Sequence, residues 1–203
     1  MYSRIRLTPA QETAVCGLLG EIQSADIFVL RGQPGMGRTT ALHAVQAVTG
    51  GTFLRPRRGA TDAHFLAALE QAIARDEIVF VDDLHLLTRA EDSRTYLLDA
   101  GLTSVLGEAA AQHKKVIFAT AGPSPWPVRR RAATWRIGAF GAGDYRRVCS
   151  VYLAPEVSKT IDYAQVHAYV PGRNAYQLKR ACTWLRRIGR VTTGRLIAAM
   201  RRL

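Results

Sequence analysis

The stretch GQPGMGRTT, residues 32–40, constrains this chain more than any other feature. It meets the phosphate-loop pattern G-x-x-x-x-G-K-[ST] at every fixed position but one, where Arg38 stands in place of Lys. With Lys or Arg allowed, the expected number of accidental matches in a chain of this composition is roughly 0.02. Such a loop works between a strand and a helix, and its flanks supply both. DIFVL (26–30) is an apolar run fit for a buried strand, and TTALHAVQAV places Leu42, Val45 and Val48 on one helical face.

The residue types suit an anion. Gly32, Gly35 and Gly37 let main-chain N–H groups converge on phosphate oxygens at a helix N-terminus, where orphan donors and the helix dipole favour negative charge. Gln33, Pro34 and Met36 complete the loop, and Thr40 follows it. Thr39 can offer its hydroxyl to Mg2+. Arg38 keeps the positive charge, but its planar fork is larger than an ammonium, so phosphate binding is expected with degraded geometry. A glycine turn that serves only structure is the competing reading.

The strand-helix alternation recurs. Thr8-Pro9-Ala10-Gln11 has the form of a capping box with Pro at the first helical position, followed by Val15, Leu18, Leu19 and Ile22 at helical spacing. GTFL (51–54), EIVFVDD (77–83), KVIFAT (115–120) and WRIGAF (135–140) read as strands. TDAHFLAALEQAIA (61–74) and SRTYLLDAGLTSVLGEAAA (93–111) read as helices between them. Alternation of this kind predicts an α/β fold, a parallel sheet sandwiched by helices, over residues 1–140. Past the glycines at 138, 141 and 143 only helical periodicity remains: Tyr145, Val148, Cys149 and Tyr152; a short segment at 161–169; Leu178, Ala181, Cys182 and Leu185; Leu196, Ile197 and Met200. Residues 141–203 are therefore expected to form a small all-helical subdomain.

Asp82 and Asp83 end the 77–83 strand about forty residues after the loop, a placement that suits metal-nucleotide chemistry. In that reading Asp82 holds Mg2+ through water and Asp83 positions the attacking water. Asp83 is one methylene shorter than the Glu more usual there. A misplacement near 1 Å costs on the order of 10²-fold, so slow hydrolysis is expected. A polar strand end with two solvated carboxylates is the alternative.

The formal charge of +12 and pI near 10.3 attract any polyanion without selecting one. Much of that charge lies in Arg clusters at 55–58, 129–131, 186–190 and 201–202. Cys16, Cys149 and Cys182 sit among apolar neighbours and read as reduced core residues, and no apolar run is long enough for a signal peptide or a membrane span. A cytoplasmic protein with no membrane partner is expected. The histidines show no metal-ligand spacing, and Trp126, Trp135 and Trp184 read as packing residues.

With the loop, the paired carboxylates and the later strand in this order, residues 27–140 resemble the P-loop ATPase core of the AAA+ family, and residues 144–203 resemble its helical lid. The resemblance implies ATP and Mg2+ as cofactors and ATP/ADP as ligands. It places Thr120, ending KVIFAT, at the position that reads the γ-phosphate. PGRNAYQL (171–178) resembles the G-x-[DN]-x-x-x-L run that opens the lid's third helix, where Gly172 approaches the nucleotide and Arg173 falls at a second sensor position, with Asn174 as the cap. Family members assemble, so a homo-oligomer or a hetero-oligomer with other AAA+ subunits is implied. An arginine finger would come from Arg129, Arg130, Arg131 or Arg136. The segment RPRRGATDAHF lacks the aromatic-hydrophobic-Gly pore loop of polypeptide-threading machines. The leading expectation is an ATP-binding ATPase module that hydrolyses slowly and couples nucleotide state to subunit assembly or partner remodelling. The alternatives are a non-hydrolysing nucleotide scaffold or switch, and a DNA-associated ATPase regulator, the latter motivated by net charge and the RPRR and VRRR runs. Nucleic acid thus stands as a further partner class.

Overall fold

A computed structural model describes residues 6–56, 61–87 and 95–203. Its apolar runs become five strands: β1 (Ile27–Arg31), β2 (Thr52–Leu54), β3 (Ile78–Val81), β4 (Lys115–Thr120) and β5 (Ala133–Arg136). They pair as one all-parallel sheet in the order β2-β3-β4-β1-β5. Parallel strands covered on both faces need apolar side chains at successive positions, which is why these runs do not alternate. Ile27, Val29, Val79, Val81, Val116 and Phe118 are buried on one face, as are Phe28, Leu30, Phe80, Ile117 and Ala119 on the other.

Register decides where the loops leave. Arg31 stands beside Thr120 on one side and Arg136 on the other, and Val81 stands beside Phe118. The carboxyl ends of the strands therefore share one edge of the sheet, the edge at which open α/β sheets bind ligands.

The described residues form two compact units. Of these residues, the α/β unit holds those within 14–33 and 38–137, and the helical unit those within 6–13, 34–37 and 138–203. In the α/β unit, α3 (Asp62–Arg75) presents Phe65, Leu69 and Ile73, and α4 (Thr95–Ala111) presents Leu98, Leu102 and Val105 to the face bearing Val29, Val79 and Phe118. α2 (Arg38–Thr49) buries Ala41, Leu42 and Val45. Each fully buried Leu or Phe contributes roughly 1.5–3 kcal/mol relative to exposure, so this core outweighs any surface pairing. α1 (Pro9–Gly20) starts at the anticipated capping box: the Thr8 N–H donates to Gln11 Oε1 at 3.0 Å and the Gln11 N–H to Thr8 Oγ1 at 3.4 Å.

The helical unit holds α6 (Ala142–Tyr152), α7 (Pro155–Lys159), α8 (Tyr163–Tyr169), α9 (Ala175–Ile188) and α10 (Thr193–Arg201). α9 buries Leu178, Ala181, Cys182 and Leu185, the stripe its 3.6-residue period predicts. Tyr145, fully buried, ties the unit together: its hydroxyl donates to the Val170 carbonyl and accepts from the Arg173 N–H, both at 2.8 Å.

Several expectations need correction. WRIGAF is not a strand over 135–140: β5 occupies Ala133–Arg136, and the Ile137 N–H donates to the Arg31 carbonyl at the place where β1 ends. Two short helices, α5 (Trp126–Arg131) and α7, and a 3-10 turn at Leu84–Leu86 carry no period long enough to read. The expected start of α4 at 93 lies outside the described residues, as do Arg57 and Arg58 of the RPRR run. Cys16 is exposed, whereas Cys149 and Cys182 are buried and unpaired by disulfide. Hydrogen bonding to Cys182 and burial push the Cys149 thiol above its usual range, so it is neutral and inert. Trp126 and Trp184 are nearly half exposed, against the packing role expected of them. Trp135 does pack: a Cβ added at Gly17 would stand 2.5 Å from its Cζ3. Among the described residues no helix is long and apolar enough to cross a membrane.

Candidate functional site

The chain leaves β1 at Arg31, crosses residues 32–37 without regular structure and enters α2 at Arg38. Gly35 and Gly37 adopt φ of +80° and +77°, values that L side chains rarely adopt. The N–H groups of Gly35, Met36 and Gly37 donate to no other described residue. Left-handed glycines and free donors just before a helix are the makings of an anion cradle.

In the α/β unit the two residues assigned to metal come together. The Thr39 hydroxyl donates to Asp82 Oδ2 at 2.6 Å, although 43 positions separate them. Asp82 is fully buried at the end of β3, and its other oxygen accepts the Asp83 N–H at 2.9 Å. Burying a carboxylate requires hydrogen bonds of this kind.

Asp83 takes an uncommon conformation, φ 51° and ψ 37°, in the left-handed region that Asp tolerates better than most L residues. Its Oδ2 accepts from Arg55 Nε at 3.0 Å and also from Arg55 Nη2, and its Oδ1 lies 3.5 Å from Arg38 Nη2. Both carboxylate oxygens thus meet a guanidinium. The hydrogen bond and charge of Asp83 raise the Arg55 pKa further. Arg38 is turned inward. Its Nη1 donates to the Gly32 carbonyl at 2.5 Å, and its buried Nε has no partner among the described residues. Arg55 is absent from the residues that sequence reasoning selected, because its pattern there is only that of a basic run.

Thr120 is buried at the end of β4, where its hydroxyl accepts the Gly122 N–H at 3.2 Å and closes its own turn. Its carbonyl accepts the Gly32 N–H at 3.4 Å, which ties the start of the loop to the neighbouring strand. Of the four finger candidates, all exposed, Arg130 lies over the Trp126 ring at 5.3 Å, and Arg131 Nη1 would stand 3.5 Å from a Cβ added at Gly107. Arg136 ends β5 at the sheet margin, and Arg129 sits in α5.

In the helical unit the tip of the loop is held by its carbonyls. Asn174 Nδ2 donates to the Pro34 oxygen at 3.1 Å, the Ala175 N–H to Gly35 at 3.0 Å and Gln11 Nε2 to Met36 at 2.7 Å. The same Asn174 caps α9 by accepting the Gln177 N–H at 2.9 Å. PGRNAYQL therefore meets the loop through Asn174 and Ala175. Gly172 makes an exposed turn at φ +73°, and Arg173 bonds Tyr145 through its main chain. Gln11 and Asn174 read from sequence as caps alone, since a cap signature carries no sign of a second partner.

Carbonyls engaged from outside leave the loop's N–H groups pointing to the other side of each peptide plane, as an anion requires. A hydroxyl and a carboxylate are hard oxygen donors, and Mg2+ takes its remaining positions from water and phosphate. The residues present fit a metal-nucleotide. A family model described as "ATPase family associated with various cellular activities (AAA)" matches residues 28–140. A search of curated proteins returned no match.

Proposed function

The chain belongs to the ATPase family associated with various cellular activities, and from that membership we propose that it binds ATP with Mg2+, hydrolyses it slowly and uses the bound state to set subunit assembly or remodel a partner. In this reading the N–H groups of Gly35, Met36 and Gly37 and the first turn of α2 bind the phosphates. Arg38 adds charge, with Gln33, Pro34 and Gly32 shaping the loop and Thr40 in the first helical turn. Thr39 and Asp82 hold the metal. Bound ATP–Mg2+ supplies an electrophilic phosphoryl group whose charge the metal partly neutralises. Asp83 orients water toward it, Thr120 reads the terminal phosphate, and Arg131 or Arg136 of a neighbouring subunit stabilises the developing charge. Gly172 and Arg173 keep their assigned place near the nucleotide as part of the proposal. The neutral, buried Cys149 and its neighbour Cys182 suit a reducing compartment such as the cytoplasm.

The observation that carries this reading is the 2.6 Å bond between Thr39 and Asp82. Calorimetric titration with ATP tests it: binding should weaken on the order of tenfold when Mg2+ is chelated, and Asp82→Asn should lose that Mg2+ dependence. No heat at millimolar ATP with Mg2+ would overturn the proposal.

A non-hydrolysing switch is the second reading, favoured by Asp83 itself, whose two oxygens are engaged by Arg38 and Arg55. A carboxylate so occupied is a poor partner for water. The two readings separate on turnover, since only the first gives phosphate release that Asp83→Ala abolishes.

A further inference from the structure

The chain's charge is concentrated. Residues 163–203 contain nine Lys and Arg and no Asp or Glu, against a net charge of +12 for the whole chain. All nine except Arg173 are exposed, and among the described residues none forms an ion pair. Uncompensated cations on two adjacent helices repel one another and favour an anionic partner.

The exposed face of α9 adds aromatic rings to this charge. Tyr176, Arg180 and Trp184 recur at i, i+4 and i+8, a spacing that aligns them along one stripe. Tyr176 is 60% exposed and Trp184 46%. The Arg180 guanidinium lies 5.8 Å from the Tyr176 ring centre. Trp184 borders a recess of about 180 Å3 shared with Arg180 and Arg202 and floored by Ala181 and Ala199. A half-exposed indole on the rim of a recess that two arginines also line combines a flat stacking surface with anion donors. A base with its flanking phosphates matches both parts, whereas an acidic peptide uses only the charge.

We propose that the α9–α10 face binds single-stranded nucleic acid, with Trp184 stacking on a base and Arg180 and Arg202 holding adjacent phosphates. This site lies within the helical unit and does not rest on the ATPase reading; the two can fail separately.

Fluorescence anisotropy of a labelled oligothymidylate of about 20 nucleotides, titrated with the full chain across a salt series, provides the test. The two phosphate contacts contribute about −1.4 to the slope of log K against log salt, and Arg180→Ala with Arg202→Ala should flatten it by that amount. Trp184→Ala should weaken binding on the order of 5- to 100-fold, and Trp184→Phe should recover most of the loss. Circular dichroism of each variant separates lost binding from lost fold. Three outcomes overturn the proposal. One is no binding at low salt. Another is binding indifferent to Trp184→Ala with heparin competing as well as oligonucleotide, which reduces the face to a basic coat. The last is preference for phosphatidylserine vesicles over oligonucleotide, lost in Trp184→Ala, which assigns the face to a membrane surface.

Discussion

Arg38 occupies a place where a lysine ammonium would meet phosphate as a point charge, yet its guanidinium is committed to the Gly32 carbonyl and lies near Asp83. Asp83 is in turn held by Arg55, whose side chain is otherwise largely exposed. The proposed slow turnover then has a specific cause: the carboxylate proposed to orient water is neutralised from two sides. Arg38→Lys removes one arm and restores a compact charge, and Arg55→Ala removes the other. Each should raise phosphate release at saturating ATP, Arg38→Lys by about tenfold and Arg55→Ala by a few-fold, with Asp83→Ala abolishing release in either background. Steady-state phosphate assays check this, and wild-type rates in both variants would favour the non-hydrolysing switch. The pairing of Thr39 with Asp82 was legible in the sequence because loop and strand end each carry their own pattern. The reach of Arg55 to Asp83 was not, because it joins positions 28 apart through a side chain that reads as surface charge.

At the scale of elements, legibility followed length and burial. β4 occupies the expected 115–120, and α3 begins one residue inside its expected start, because a run buried on both faces or a 3.6-residue period held over 14 residues leaves a strong trace. The six-residue α5 left none, since WPVRRR is too short to show a helical period, although Pro127 is compatible with a first helical turn. β5 lies at the sheet edge with alternating exposure, so its pattern could not locate its end. The start of α9 shows how one element serves two ends, because Asn174 accepts a helix N–H through Oδ1 and donates to Pro34 through Nδ2. Asn174→Asp keeps the acceptor and loses the donor. It should leave thermal stability near wild type, since Asp caps as well as Asn. Nucleotide affinity should fall about 5- to 10-fold, the loss of one hydrogen bond near 1 kcal/mol. Asn174→Ala should lose both, destabilising by about 1 kcal/mol as well. Differential scanning fluorimetry with nucleotide titration reads the two effects side by side; wild-type nucleotide affinity in both variants would reduce Asn174 to a cap.

At the scale of the whole molecule, a chain of net charge +12 resists self-association unless a ligand supplies negative charge at the contact. ATP carries such charge, and Arg131 and Arg136 are exposed guanidinium groups of the α/β unit. An arginine supplied in trans can be worth 10³ to 10⁵ in rate, so a subunit with an intact loop can be inactive alone. Removing the side chain that acts in trans should spare ATP binding and remove turnover. The decisive measurement mixes two dead proteins, Arg136→Ala and Asp83→Ala. If Arg136 reaches a neighbour, the first keeps a complete site and the second a complete finger, and mixing should restore about a quarter of the wild-type rate, the share of contacts that set an intact site against an intact finger under random assembly. The same pair made with Arg131→Ala tells the candidates apart. Recovery should rise with protein concentration and with the ATP-dependent increase in particle size seen by light scattering. A mixture that stays inactive with both arginine variants, while each still binds ATP, would mean that hydrolysis draws on no guanidinium from these two positions in trans.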